Sequence, residues 1–366
     1  MNVLQLQLMN QYILHRDNSK VLGLVEPSAL GCTLTHEHLS HCATGKPFQP
    51  TTPPGHEKYT DAPYTLENLG WIRQYPYSHK ENIIFCGSDV QQAVLDDIKL
   101  FKLNGGGSIV ENTTNGLNRD LNFMQKVSVE TGVNIIAGAG YYVAGSQSTS
   151  TLDNSIEYFA GVMKRELLEG ASGTTIRCGV IGELGCSWPL HDFEKRVLQA
   201  AGLVQSELKC PVIIHPGRDE NAPEEILRIF TEAGGKADKI VMSHLDRTIF
   251  DRAKLLEFAS MGSYCEFDLF GIEVSHYQMS SKVDMPSDAQ RISFIHSLVE
   301  EGFEDKVVIA HDIHTKHRLK KYGGHGFSHI LLSVVPTMLN RGISQTVIDK
   351  ILIHNPAQWL AYNISY

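Results

Sequence analysis

The chain has 366 residues, of which 42% are hydrophobic and 20% charged, and a formal net charge of -9. A chain of this length can bury a large core without disulfides or a partner. The acidic balance argues against nucleic acid or an anionic membrane surface and leaves a small molecule as the expected partner. The seven cysteines are odd in number and none is spaced C-x-x-C. They read as reduced thiols of a cytoplasmic protein, not as a disulfide framework or a thiolate zinc site.

Residues 1–20 read as a frayed N-terminal extension, because Gln5, Gln7, Asn10 and Gln11 interrupt any apolar signal-like run. Residues 21–366 then form one domain. Short apolar runs recur along it: CTLTHEH (32–38), GSIVENTT (107–114), NIIAGAGYY (134–142), RCGVIGELG (177–185), CPVIIHPG (210–217), KIVMSHLD (239–246), GSYCEFD (262–268) and KVVIAHD (306–312). Runs that are apolar at consecutive positions suit strands covered on both faces, as in a parallel sheet. Between them lie helix candidates. In VQQAVLDDIKLFKLNGG, Val90, Val94, Ile98 and Phe101 share one face and Gly105 can end the helix. Others fall near 118–131, 153–169, 191–208, 223–234, 249–259, 287–302 and 344–360. Eight alternating units predict an α/β protein and fit a (β/α)8 TIM barrel, with a doubly wound open sheet as the alternative.

Three long connections leave C-terminal strand ends, the face where barrels build active sites. Residues 43–80 carry Pro47, Pro50, Pro53, Pro54, Pro63 and Pro76, too many for one continuous helix. Residues 269–286 and 313–325 are the others.

The chemistry-bearing residues sit at those same ends. His36 and His38 are two apart, so on a strand both imidazoles point to one side. Glu183, His215, His244 and Asp312 each close an apolar run. Any one of them alone reads as a strand-end polar group. Together, six such groups without a metal would leave desolvated charges and donors poorly paired. Four imidazoles and two carboxylates with no thiolate suit two divalent ions, zinc best, with manganese, cobalt or iron in range. Glu183 would bridge the ions. His36, His38 and Asp312 would complete one, His215 and His244 the other. Ions about 3.5–4 Å apart would share a hydroxide as nucleophile, and Asp312 would orient it, take its proton and pass it to the leaving group.

The pieces GCTLTHEHL, NTTNGLNRD, IGELG, VIIHPGR, VMSHLDRT and VIAHDIHTK resemble the amidohydrolase superfamily, specifically its phosphotriesterase family. Longer stretches, among them VIGELGCSWPL and HDIHTKHRLKKYGGHGFSHILLSVVP, are similar to the animal phosphotriesterase-related branch from about residue 20 to about residue 360. The resemblance implies a binuclear metal barrel with the ligands named above. It also implies hydrolysis of a small N-acyl amino compound, N-acetyltaurine to taurine and acetate. A lactonase or phosphotriesterase with the same centre, and a non-catalytic barrel scaffold, are the rival expectations. Bacterial phosphotriesterases usually bridge their metals with a carbamylated lysine, where this chain has Glu183. They also carry a relay histidine after the Asp that ends the seventh strand, where this chain has Leu269 after Asp268.

A substrate anion would need a cation, and the candidates are Arg247, Arg218 and Lys316. Tyr141 and Tyr142 end the third strand and either wall the pocket or pack in the core. His311, His314, His317, His325 and His329 read mainly as loop surface, with bonds to Asp312 or gating of the pocket as the alternatives.

Overall fold

The computed structural model describes residues 21–42, 52–274, 277–280 and 282–362. The expected extension over residues 1–20 lies outside them, as do Pro47 and Pro50. Eight parallel strands run in consecutive order: β1 Cys32–Glu37, β2 Gly106–Glu111, β3 Asn134–Ala139, β4 Val180–Gly185, β5 Val212–His215, β6 Ile240–Met242, β7 Tyr264–Phe267 and β8 Val307–Ile309. Each expected apolar run holds one of them, with β2 beginning one residue ahead of its run. The ring is nearly closed where β8 meets β1: Asp312 N–H donates to His36 O at 3.0 Å, and Thr35 Oγ1 donates to Ile309 O at 3.4 Å. Consecutive order with this meeting excludes the doubly wound open sheet, whose strand order must reverse.

The strands are buried almost end to end because helices pack outside them and side chains fill the barrel within. The helix Ser88–Leu103 buries Val90, Val94, Ile98 and Phe101, the face read from its periodicity, and Gly105 follows it with φ of 97°. Capping residues set several helix starts. Ser155 accepts from Tyr158 N–H, and Asp120 from Phe123 N–H. His191 with Glu194, and Ser287 with Gln290, form reciprocal capping boxes. The expected helix over 344–360 is continuous but changes pitch: Gln345–Asp349 is α-helical, Lys350–His354 forms a π-turn, and Asn355–Leu360 is α-helical again. An unanticipated segment, Ile330–Val334 and Val335–Asn340, repeats this pattern. In each, a proline (Pro336, Pro356) follows the π-turn. Proline has no N–H for the carbonyl four residues back, and the wider turn accommodates its ring.

The cysteine reading needs correction. Cys42 and Cys86 are joined as a disulfide with Cα atoms 5.6 Å apart. The strand-like bridge between His41 and Phe85 sets them side by side. Their separation of 44 residues conceals that proximity in the sequence. Cys32, Cys178, Cys186, Cys210 and Cys265 remain free thiols. Among the described residues no helix is long and apolar enough to cross a membrane.

Candidate metal centre

All six side chains singled out in the sequence meet at the C-terminal mouth of the barrel. They come from five strands: His36 and His38 from the end of β1, Glu183 from β4, His215 from the last position of β5, His244 just past β6, and Asp312 just past β8. Glu183 Oε2 lies 2.9 Å from His215 Nδ1, 3.3 Å from His244 Nε2 and 3.4 Å from His36 Nε2. His38 Nε2 lies 3.3 Å from Asp312 Oδ1 and 3.8 Å from Glu183 Oε1. Three triplets drawn from these six have donor atoms within 4.8 Å of one another: His36, His38 and Glu183; Glu183, His215 and His244; and His36, His244 and Asp312.

The electrostatics call for positive charge at the centre. Burial acts against ionising either carboxylate, yet His36 and His215 hold Glu183 well below the carboxylate range. His314 and His38 do the same for Asp312. Burial also opposes charge on His36, but Glu183 and Asp268 drive its pKa well above the usual histidine value. His36 Nε2 is wholly buried, points at Glu183 and Asp312, and makes no hydrogen bond. A buried ring nitrogen without a partner, aimed at two ionised carboxylates, is satisfied by a cation between them. The donor set fits divalent metal.

A second layer of buried carboxylates aims these side chains. Asp268 accepts from His244 Nδ1 at 2.7 Å and from His244 N–H at 3.1 Å, and stands 3.1 Å from His36 Nδ1. Glu266 stands 3.2 Å from the same His36 nitrogen. Glu111 accepts from Thr113 Oγ1 at 2.7 Å, and that hydroxyl lies 2.9 Å from His38 Nδ1. Imidazole orientation in metal sites is commonly set this way. Glu111, Glu266 and Glu37 escaped the sequence reading, because an acidic residue inside a strand carries no sign of what it will face. Glu37, between the two histidines of THEH, points away from the cluster. Burial pushes its pKa up to about 8 against the pull of Ile313 N–H, Arg318 and His311 N–H.

The cluster opens into a cavity of about 430 Å³ lined by Tyr142, Arg218, Arg247, Tyr277, His314 and apolar side chains that include Leu269 and Met285. Tyr142 faces the cluster, its hydroxyl 3.4 Å from His215 Nδ1. Tyr141 instead packs on Phe159 and Phe193 in the core. Arg247 Nη2 lies 3.3 Å from His215 Nε2. Lys316, however, pairs with Glu81 at 3.1 Å and does not line the cavity. The histidine run is not loop surface. His311 is wholly buried, with Nδ1 2.6 Å from Glu37 Oε1. His314 Nδ1 lies 3.1 Å from Asp312 Oδ1. His317 bonds Asn82, His325 stacks on His311, and His329 pairs with Asp288 at 2.7 Å. The two turns Lys316–Arg318 and Lys320–Tyr322 fold this connection back against the barrel, which burial in a flat sequence window does not foretell.

Fold and cluster together define the class: a barrel hydrolase that works with metal. The chain belongs to the phosphotriesterase family, whose model matches residues 17–360. That family is binuclear and metal-dependent. The chain is 55% identical over 346 residues to the N-acetyltaurine hydrolase of Xenopus tropicalis, covering 93% of this chain and 97% of that one. It is 54% identical to the protein of the same name from Mus musculus, with the same coverage. A solved structure, a resiniferatoxin-binding protein from Rhodobacter sphaeroides, superposes with a TM-score of 0.88 at 29% identity over 96% of this chain and 95% of that one. The phosphotriesterase homology protein from Escherichia coli shares the fold, with a TM-score of 0.72 at 23% identity over 91% of this chain and 99% of that one.

Proposed function

We propose that this protein hydrolyses N-acetyltaurine to taurine and acetate, with two divalent ions, zinc in the first instance, held by His36, His38, Glu183, His215, His244 and Asp312. The carrying observation is the convergence of those six side chains beside a cavity that also presents Arg218 and Arg247. The names of the relatives support the substrate. When bound, such ions lower the pKa of a water and polarise a carbonyl. The chain's own residues do the rest. Glu183, ionised and central among His36, His215 and His244, would be a ligand shared by the ions. Asp312 is ionised and accepts the proton of the attacking water on its carboxylate, then returns it to the amide nitrogen as the C–N bond breaks. The water oxygen leaves in acetate and the amine leaves as taurine. Arg247 and Arg218 receive the anionic end of the substrate and Tyr142, beside His215, contacts its amide end, while Leu269 and Met285 keep bulk water from the reacting carbonyl. A lactonase or phosphotriesterase reading leaves the cationic wall without a purpose, and a scaffold leaves the six donors without one.

The test is hydrolysis of N-acetyltaurine beside N-acetyl amino acids, lactones and paraoxon, following acetate and taurine by NMR, with wild type and His215→Ala. Turnover confined to lactones or organophosphates defeats the substrate assignment. Full activity in His215→Ala defeats the ligand assignment.

A further inference from the structure

Buried guanidinium groups in this protein are otherwise matched to acceptors. Arg119 binds Glu166 at 2.7 Å, Arg291 binds Asp246 at 2.8 Å and Asp288 at 2.9 Å, and Arg318 donates to the carbonyls of Asp312 and Phe270. Arg247, which is buried, and Arg218, which is half-buried at the cavity wall, depart from that pattern. Among the described residues neither forms an ion pair with a carboxylate. Arg247 is 2% exposed, and its bonds go to His215 Nε2, Pro216 O and Thr248 Oγ1. Arg218 donates through Nε to Tyr277 Oη at 2.6 Å. Its two terminal nitrogens, at the cavity wall, have no hydrogen-bond partner among the described residues. Both arginines line the same cavity, so the two cations face one space. Two like charges on one cavity wall, one of them out of water, are costly unless an anion joins them.

Tyr277 completes the arrangement. Its oxygen accepts from Arg218, which leaves its own proton to donate. The ring is held by a small apolar cluster with Leu269, Ile272 and Met285, separate from the main core. Its centroid lies 5.6 Å from Arg218 Cζ. The hydroxyl therefore has a fixed position beside the guanidinium.

We propose that Arg218, Arg247 and Tyr277 form a three-sided anion site that selects a sulfonate over a carboxylate. This deepens the N-acetyltaurine reading and rests on it for the choice of head group. A sulfonate has three oxygens in a trigonal array and meets all three side chains. A planar carboxylate engages one guanidinium with both oxygens and leaves another donor unmet. One unmet buried donor costs about tenfold in selectivity. The position of Arg247 against His215 keeps the anion close to the reacting centre, so the substrate is short between its charge and its amide.

The experiment uses metal-loaded protein with N-acetyltaurine, N-acetyl-β-alanine and neutral N-ethylacetamide. Wild type prefers the sulfonate over the carboxylate by about tenfold or more in kcat/KM. Tyr277→Phe raises KM for N-acetyltaurine about tenfold with kcat nearly unchanged, and brings the two anionic substrates level. Arg218→Met lowers kcat/KM for both anions by about 100-fold, and for the neutral amide by much less. An unchanged sulfonate preference in Tyr277→Phe, or unchanged anion turnover in Arg218→Met, overturns the site while leaving the hydrolase reading intact. Ethanesulfonate binding, followed as a rise in Tm, is independent of turnover. Stabilisation of wild type and none of Arg218→Met supports the site even if N-acetyltaurine is not hydrolysed, in which case only the activity assignment falls. No stabilisation of wild type by ethanesulfonate overturns the site.

Discussion

Glu37 positions Asp312 without touching its side chain. Its two carboxylate oxygens accept the N–H groups of His311 and Ile313, each at 2.9 Å, one on either side of Asp312. Asp312 itself sits at φ of 53°, in the left-handed region that non-glycine residues seldom occupy. Holding it there costs on the order of 1–3 kcal/mol, which the flanking bonds offset. His244, at φ of 56°, is treated alike by Asp268, which takes both its backbone N–H and its ring. Two of the six proposed ligands thus depend on a bent backbone clamped by a buried acid.

From that clamp we expect Glu37→Gln to fold but to work poorly. The amide presents a donor to an N–H that needs an acceptor, so Asp312 loses its fixed direction. The expected loss in kcat is about 10- to 100-fold. A variant with kcat within about twofold of wild type, by steady-state assay, would remove the clamp from the account.

Metal removal should act on stability as well as on activity. Ions bound at about 1,000 times their Kd add about 4 kcal/mol, which for a chain of this size is a Tm change of several degrees. Chelated protein should melt earlier and hydrolyse nothing, and elemental analysis of the reloaded protein should return two ions per chain. A Tm indifferent to chelator would contradict the buried cluster as a metal site.

The disulfide closes a 44-residue span between the loop after β1 and the start of the helix Ser88–Leu103. Such a closure restricts the unfolded chain by about 3–4 kcal/mol. Cys42→Ser should lower the urea midpoint accordingly, and reductant should lower that of wild type but not of the variant. Equal sensitivity to reductant in both would count against the pairing.

His317 is buried and held neutral: burial first, then the charges of Arg318, His314 and Arg73, set its pKa well below the usual 6.5. Below pH 6.5 the unfolded chain takes up a proton that the folded chain refuses. Stability is therefore lost as pH falls from 6.5 toward the lower folded value, by about 1.4 kcal/mol per pH unit for this one group. Urea titrations between pH 7.5 and 5 should show the decline, and His317→Asn should reduce its slope. An identical slope in both proteins would show that His317 does not contribute.

Lys316 was a sequence candidate for the substrate anion, and its pairing with Glu81 takes it off the cavity wall. Lys316→Met should leave KM for N-acetyltaurine within about twofold, whereas Arg218→Met should not. A tenfold rise in the lysine variant would return it to the site.

Much of the barrel was readable because its signals are local. The run VVIAHD announces both a strand covered on two faces and a polar group at its end, within six residues. The ligand candidates could be named for the same reason, since residue type and strand end lie in one stretch of chain. Partners could not be read. Glu37 finds His311 across 274 positions, and Arg218 finds Tyr277 across 59. The histidines after β8 looked like surface because a polar run in a loop usually is, until two tight turns fold it onto the barrel.

The chain's own order of residues determined the eight strand–helix units and the chemical types at their ends, since both follow from neighbours a few positions apart. The tertiary structure alone decided which buried acid aims which imidazole, which cysteines meet, and which arginines find no carboxylate among the described residues. Those outcomes depend on distances between segments far apart in the chain, where hydrogen bonds and charges act only after the ring has formed.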